Sequence, residues 1–280
     1  MNLVKKYSST IGDYFRNQNN HAAALAYYSL FALIPIVFVS LSIFGRVIGQ
    51  DTVEAIIENF LINQVGIQDT TSIMGFLVNT QYAKPNLWME LLSIAAIFVT
   101  TSAMTSSVKR GLNDVLKVPF KKRKSIDFIK SVFQFRILSI LAIAVFMMLM
   151  IIVYFSQLFI ISILDMWFID ESILFQSLLF IFETLLSLLS YFLVFLGVYW
   201  FGHDAQVTLK EVVKSAIFSS FILCISQFAI KYYLQHFFVF KDAGLTGTIL
   251  VLLTWIYFTS QILYLGAHSI YLNQKNNSSY

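Results

Sequence analysis

Six apolar runs, each long enough to span a bilayer, occupy most of these 280 residues. They are Ala22–Ile48, Trp88–Val108, Ile137–Ile163, Ile173–Phe201, Val212–Leu234 and Gly247–Leu272. A helix needs about 20 residues to cross a hydrocarbon core about 30 Å thick, and every run meets that length. Buried helices of a water-soluble bundle would be shorter and would carry a charged outer face. Here 58% of the residues are hydrophobic and 12% charged. The sequence predicts an all-α, polytopic membrane protein with six transmembrane helices in one domain, residues 22–272.

Lys and Arg sit mainly on alternate sides of these runs. Of the 19 basic residues, only Arg46, Lys84, Lys231 and Lys241 fall on one side. Loops that stay in the cytoplasm retain positive charge, which predicts both termini inside. The basic connection 109–136 is then cytoplasmic, and its cluster Lys121, Lys122, Arg123 and Lys124 is a topogenic signal that also suits anionic lipid headgroups. The excess of positive charge needs no nucleic-acid partner. Cys224 is the only cysteine, so no intrachain disulfide forms. The first run is too long for a signal-peptide core and should be retained.

Leu3, Val4, Tyr7, Ile11, Tyr14 and Phe15 recur at helical spacing, predicting an amphipathic helix over 1–21 lying in the inner interface. The connection 49–87 is the longest on the opposite side. Val53, Ile56, Ile57, Phe60 and Leu61 form one apolar face there, and Asp51 with Glu54 resembles a capping box. A second short helix is expected around 71–79, the pair lying on the outer surface or over the bundle as a lid. The polar end 273–280 reads as a flexible tail.

Polar side chains at membrane depth are costly and face the bundle interior or a wet cavity. Thr254, Tyr257, Gln261, Tyr264 and His268 fall at alternating spacings of three and four, along one face of the last helix. Gln176, Glu183, Ser187 and Ser190 make a similar line in the fourth run; Ser220, Gln227 and Lys231 align in the fifth. These stripes suit a cavity, but for the Ser and Thr residues interhelical hydrogen bonding is the favoured reading. Glu183 stands apart, because an ionised carboxylate within the bilayer costs at least ~2.5 kcal/mol on insertion scales. Lys231 falls near the outer interface, where its stem can snorkel. Pro35 predicts a kink in the first helix.

His21–Pro35, HAAALAYYSLFALIP, resembles the opening of the YihY/BrkB family of bacterial inner-membrane proteins. Val108–Phe120, VKRGLNDVLKVPF, resembles that family's segment before its basic loop, and Gly244–Leu272 resembles its last span, with Trp-x-Tyr at the centre and Leu-Gly-Ala near the end. The chain departs where the family commonly has Glu after Leu-Gly-Ala, for His268 stands there. It departs again around the fourth-to-fifth connection, at Gly202-His203-Asp204 and Ser215-Ala216. The resemblance implies six transmembrane helices in the bacterial inner membrane and an envelope role. Members of the family have been linked to serum resistance, to lipopolysaccharide or lipid transport, and formerly to a tRNA-processing ribonuclease.

The residues give little support to that ribonuclease label. The four histidines do not form a metal-ligating cluster with carboxylates, and neither a phosphate-binding Gly-rich loop nor a Gly-x-Ser-x-Gly elbow is present. No cofactor or metal is expected. The leading expectation is an inner-membrane transporter of lipids or other amphiphiles, with Glu183 as the proton- or cation-responsive group and Tyr257, Gln261 and Tyr264 lining a cavity. A non-transporting envelope scaffold or lipid-binding protein is the alternative, and an intramembrane enzyme ranks last. Membrane lipids are the expected partners; oligomerisation is left open.

Overall fold

The computed structural model describes residues 20–67, 69–75, 87–119, 173–236 and 244–277, with short helical pieces between 148 and 160. Helix α1 is Asn20–Ile48, α2 is Gln50–Phe60, α3 is Leu87–Val115, α4 is Ile173–Phe201, α5 is Leu209–His236 and α6 is Gly244–Asn277. A π turn, Leu61–Val65, continues α2. All regular structure among the described residues is helical. Three helices are long and apolar enough to cross a membrane: Phe180–Phe201 within α4, Leu209–Leu234 within α5 and Gly244–Gln274 within α6. α1 and α3 have 29 residues each, about 43 Å at 1.5 Å per residue. The predicted helix over 1–21, the basic cluster at 121–124 and most of the predicted third span lie outside the described residues.

α1 packs against α3 and α6, α3 also touches α6, and α5 lies between α6 and α4. α4 buries the smallest share of its apolar stretch and α6 the largest. Two apolar clusters form, one towards each end of the bundle. The first unites Leu25, Leu112, Val115, Phe195, Tyr199, Val212, Ile262, Tyr264 and Ile270; it lies at the end that carries Lys109, Arg110 and Lys210, called here the basic end. The second unites Val53, Ile57, Leu61, Val65, Val251 and Leu252, with Leu234 and Trp255 against them. There α2 and its π turn rest on α1, α5 and α6, so this is the lid end. The face predicted from helical spacing is the one that packs: Val53, Ile56, Ile57 and Leu61 are all buried.

Several helices run past the expected boundaries: α1 starts at Asn20, α5 spans Leu209–His236 and α6 starts at Gly244, and three further departures have a clear physical cause. α3 runs on to Val115, into the stretch expected as basic loop, because Leu112 and Val115 bury fully in the first cluster. Its end is a Schellman turn: Lys117 takes φ 55, its N–H donates to the Asp114 carbonyl, and the Val118 N–H donates to Asn113. α6 continues to Asn277, into the expected tail, where the Gln274 side chain donates to the Gln206 carbonyl at 2.8 Å. The capping box at Asp51 does not form. Gly49, at φ 93, is the N-cap and makes the break between α1 and α2, leaving Asp51 inside the first turn, where a carboxylate is favoured by the helix dipole. Residues 71–75 are helical, as expected of the second short helix. α1 passes through Pro35 without a break in helix assignment.

Candidate functional site

Near the lid end, α4 and α5 each carry one charged side chain at half-depth. Glu183 of α4 and Lys231 of α5 are both half-buried and act on one another electrostatically, and Cys224, one α5 turn pair away, also feels Lys231. Ser187 follows Glu183 by one turn and hydrogen-bonds Tyr191. The sequence placed these residues on helix faces; the fold turns the faces towards each other. Beside the pair, exposed Phe180 of α4 and Phe228 of α5 meet with ring centroids 5.9 Å apart.

The lid reaches the same α5 face. Gly66 ends the π turn at φ 92, a left-handed conformation that favours glycine. A Cβ there would stand 2.9 Å from the Lys231 Cγ and 3.5 Å from its Cα, so the lid backbone lies directly on the lysine stem. One turn earlier, Gln227 is 5% exposed. Its Oε1 accepts from the Trp255 indole at 3.1 Å, while its Nε2 has no hydrogen-bond partner. The other face of Trp255 meets Phe60 edge-on, with centroids 5.6 Å apart. Gln227 thereby ties α5 to α6 and, through Trp255, to the lid. Within the lid, the Thr70 hydroxyl donates to Glu58 at 2.7 Å, and exposed Asp69 is held below the usual carboxylate range by the Thr71 side-chain and backbone hydrogen bonds.

The α6 stripe runs from surface to core. Thr254 is exposed and donates to the Leu250 carbonyl of its own helix. Gln261 donates to the Tyr257 hydroxyl at 2.8 Å. Tyr264 is fully buried, and His268 is buried with its ring stacked near Tyr271. Gln176 and Pro35 lie in α4 and α1, and their side chains are not among those described.

The basic end is held by contacts that sequence reading did not single out. Tyr199 accepts from or donates to Ser219 at 2.8 Å and donates to the Leu263 carbonyl at 2.8 Å. With the tyrosine proton committed to the carbonyl, Ser219 is the donor of the first bond. Gly266 packs against both side chains so closely that a Cβ would overlap them. A Cβ on Gly111 would fall 2.6 Å from Tyr264. Lys109 pairs with Asp204 at 2.6 Å, Asn113 bonds Asp204 twice, at 3.2 and 2.9 Å, and His21 pairs with Asp114 at 2.8 Å. Thr208 and Glu211 exchange hydrogen bonds as a capping box opening α5. His203 lies in the α4–α5 link. Burial holds its imidazole below the usual 6.5.

Of these, the Thr208-x-x-Glu211 pattern was readable in advance. Tyr199 was not, being one more aromatic in an apolar run. Among the described residues no group of three His, Cys, Asp or Glu is placed to hold a metal ion.

Set beside known proteins, the chain matches the profile described as "Virulence factor BrkB" over residues 14–279. The chain belongs to the BrkB virulence-factor family. Nearly the whole sequence takes part, the lid and both helix clusters included. A curated UPF0761 membrane protein of Psychrobacter sp. (strain PRwf-1) is 21% identical to it over 266 residues. That alignment takes in 93% of this chain and 47% of the relative, so the chain spans about half the length of the protein it matches. No solved structure matches. The BrkB family assignment and the apolar helices together make this a membrane protein.

Proposed function

We propose that this BrkB-family protein spans the bacterial inner membrane six times, with both ends inside, and carries a lipid or another amphiphile across it. The observation that carries the reading is the presence of opposite charges, Glu183 and Lys231, half-buried on two long apolar helices and within electrostatic reach of one another. Charges in such a setting are expensive and mark substrate or ion pathways. A chain that needed only to hold α4 and α5 together would do so with Leu and Phe at lower cost, since a buried ion pair is weak support for stability. In this scheme Lys231 and Glu183 exchange partners as cargo passes, and Tyr257 and Gln261 continue the polar route along α6. Lys121, Lys122, Arg123 and Lys124 contact anionic lipid on the inner surface.

The test is translocation of a fluorescent anionic lipid in liposomes holding purified protein. Glu183→Gln and Lys231→Gln are each expected to lower the rate at least tenfold. Wild-type rates in both would remove the pair from the mechanism.

A second reading, an envelope scaffold that does not transport, is favoured by the close packing of Tyr264 on Gly111 and of Tyr199 and Ser219 on Gly266. Rigid cores of this kind suit a platform. Protein-free rates from the wild-type chain in the same liposomes would decide for it.

A further inference from the structure

We propose that Gln227 and Lys231 form a binding site for the anionic head of an amphiphile, phosphate or carboxylate, beneath the lid at the α4–α5 seam. Four observations converge there. The Gln227 Nε2 is a hydrogen-bond donor on a side chain 5% exposed and has no partner. A buried donor left unmet is destabilising, and an acceptor entering the site removes that cost. Lys231 lies one turn further along α5 on the same face, with Cβ atoms about 6 Å apart for such a pair. Its ammonium supplies the charge and three more donors.

The lid closes the site from the end of the bundle, because the Gly66 backbone lies on the Lys231 stem and leaves no room there even for a methyl group. Along the α4–α5 seam the exposed rings are apolar. Phe180 and Phe228 are exposed there, each three residues before Glu183 and Lys231 on its own helix. An acyl chain lying over these rings places its head level with the lysine. Apolar rings beside buried donors select an amphiphile over a free ion.

Glu183 on α4 acts electrostatically on Lys231. It acts as the resident counter-charge that an incoming head displaces, so it opposes binding while it stays ionised. This inference rests on the seam being the working part of the molecule. Binding is measured without translocation, so the two claims fail separately: intact binding without translocation removes transport alone.

The experiment uses the full chain in phosphatidylcholine nanodiscs, titrated with phosphatidic acid, inorganic phosphate or uncharged diacylglycerol. Phosphatidic acid is expected to bind saturably, and the other two not to compete at equal concentration. Lys231→Gln and Gln227→Leu each weaken binding at least tenfold, Lys231→Arg retains it, and Glu183→Gln strengthens it severalfold. Amine-reactive labelling of the wild-type protein needs no variant: phosphatidic acid should shield Lys231 and leave Lys210 unchanged. Equal labelling of Lys231 with and without the lipid overturns the site. Equal affinity for inorganic phosphate makes it a free-anion site and overturns the amphiphile.

Discussion

The two ends of this bundle use polar side chains in opposite ways. At the basic end many are consumed locally, although the buried His203 Nε2 and Ser215 hydroxyl have no hydrogen-bond partner. Tyr199 serves Ser219 and Leu263, Asp204 takes Lys109 and Asn113, and Glu211 caps α5. Glycines there allow side chains to touch backbone. At the lid end, Glu183 and Lys231 sit at half-depth within electrostatic reach of one another, and Gln227 keeps one donor unmet. Polar groups that meet one another fix a fold, whereas opposite charges at half-depth beside an unmet donor leave capacity for a ligand. The ends differ in charge at depth: the lid end holds it between apolar helices, and the basic end settles its ion pairs near the surface.

The largest effect should come from overfilling the basic end. Gly266→Ala pushes a methyl into Tyr199 and Ser219, and overpacking of this kind costs roughly 1–3 kcal/mol. Losing the Tyr199 bonds would raise the cost further, so a thermal-unfolding scan should show a clear drop in midpoint. A wild-type midpoint would mean that the end is looser than described. Next in size is Tyr199→Phe, which removes the extra bond to the Leu263 carbonyl and leaves the buried Ser219 hydroxyl without its tyrosine partner. It should lower stability by about 1–3 kcal/mol in denaturant titration.

Removing the salt link should matter less. Lys109→Ala breaks a pair whose carboxylate is 39% exposed, and surface pairs contribute about 0–1 kcal/mol. The smallest effect is with pH. His203 has a folded pKa below its unfolded 6.5, so the unfolded chain binds the proton more readily between those values. Stability is whole above about pH 6.5 and falls as pH drops towards the folded pKa. His203→Gln should flatten that part of the profile, and an unchanged slope would assign it to another group.

Much of the fold was legible because hydropathy reports burial in lipid directly. Ile173–Phe201 was read with both boundaries as found, and the lid face at Val53, Ile56, Ile57 and Leu61 followed from helical spacing. Hydropathy failed where helices end in polar residues. The last turns of α3 and α6 pack or hydrogen-bond through Val115 and Gln274, yet their neighbours look like loop. The site was legible one helix at a time. Glu183, Ser187, Gln227 and Lys231 were each placed on a face, but no spacing rule says which face meets which. Nor does sequence reveal that Gly66 brings the lid onto Lys231, since that depends on a backbone turn and a contact far apart in the chain.

The claim beneath this account is that the lid end does the chemistry and the basic end holds the shape. It is tested most directly by comparing Lys231→Gln with Tyr199→Phe in lipid translocation per folded molecule, alongside the unfolding midpoint of each. Lys231→Gln should lose at least tenfold in translocation with a nearly unchanged midpoint, while Tyr199→Phe should lower the midpoint and keep translocation. The reverse pattern would exchange the roles of the two ends.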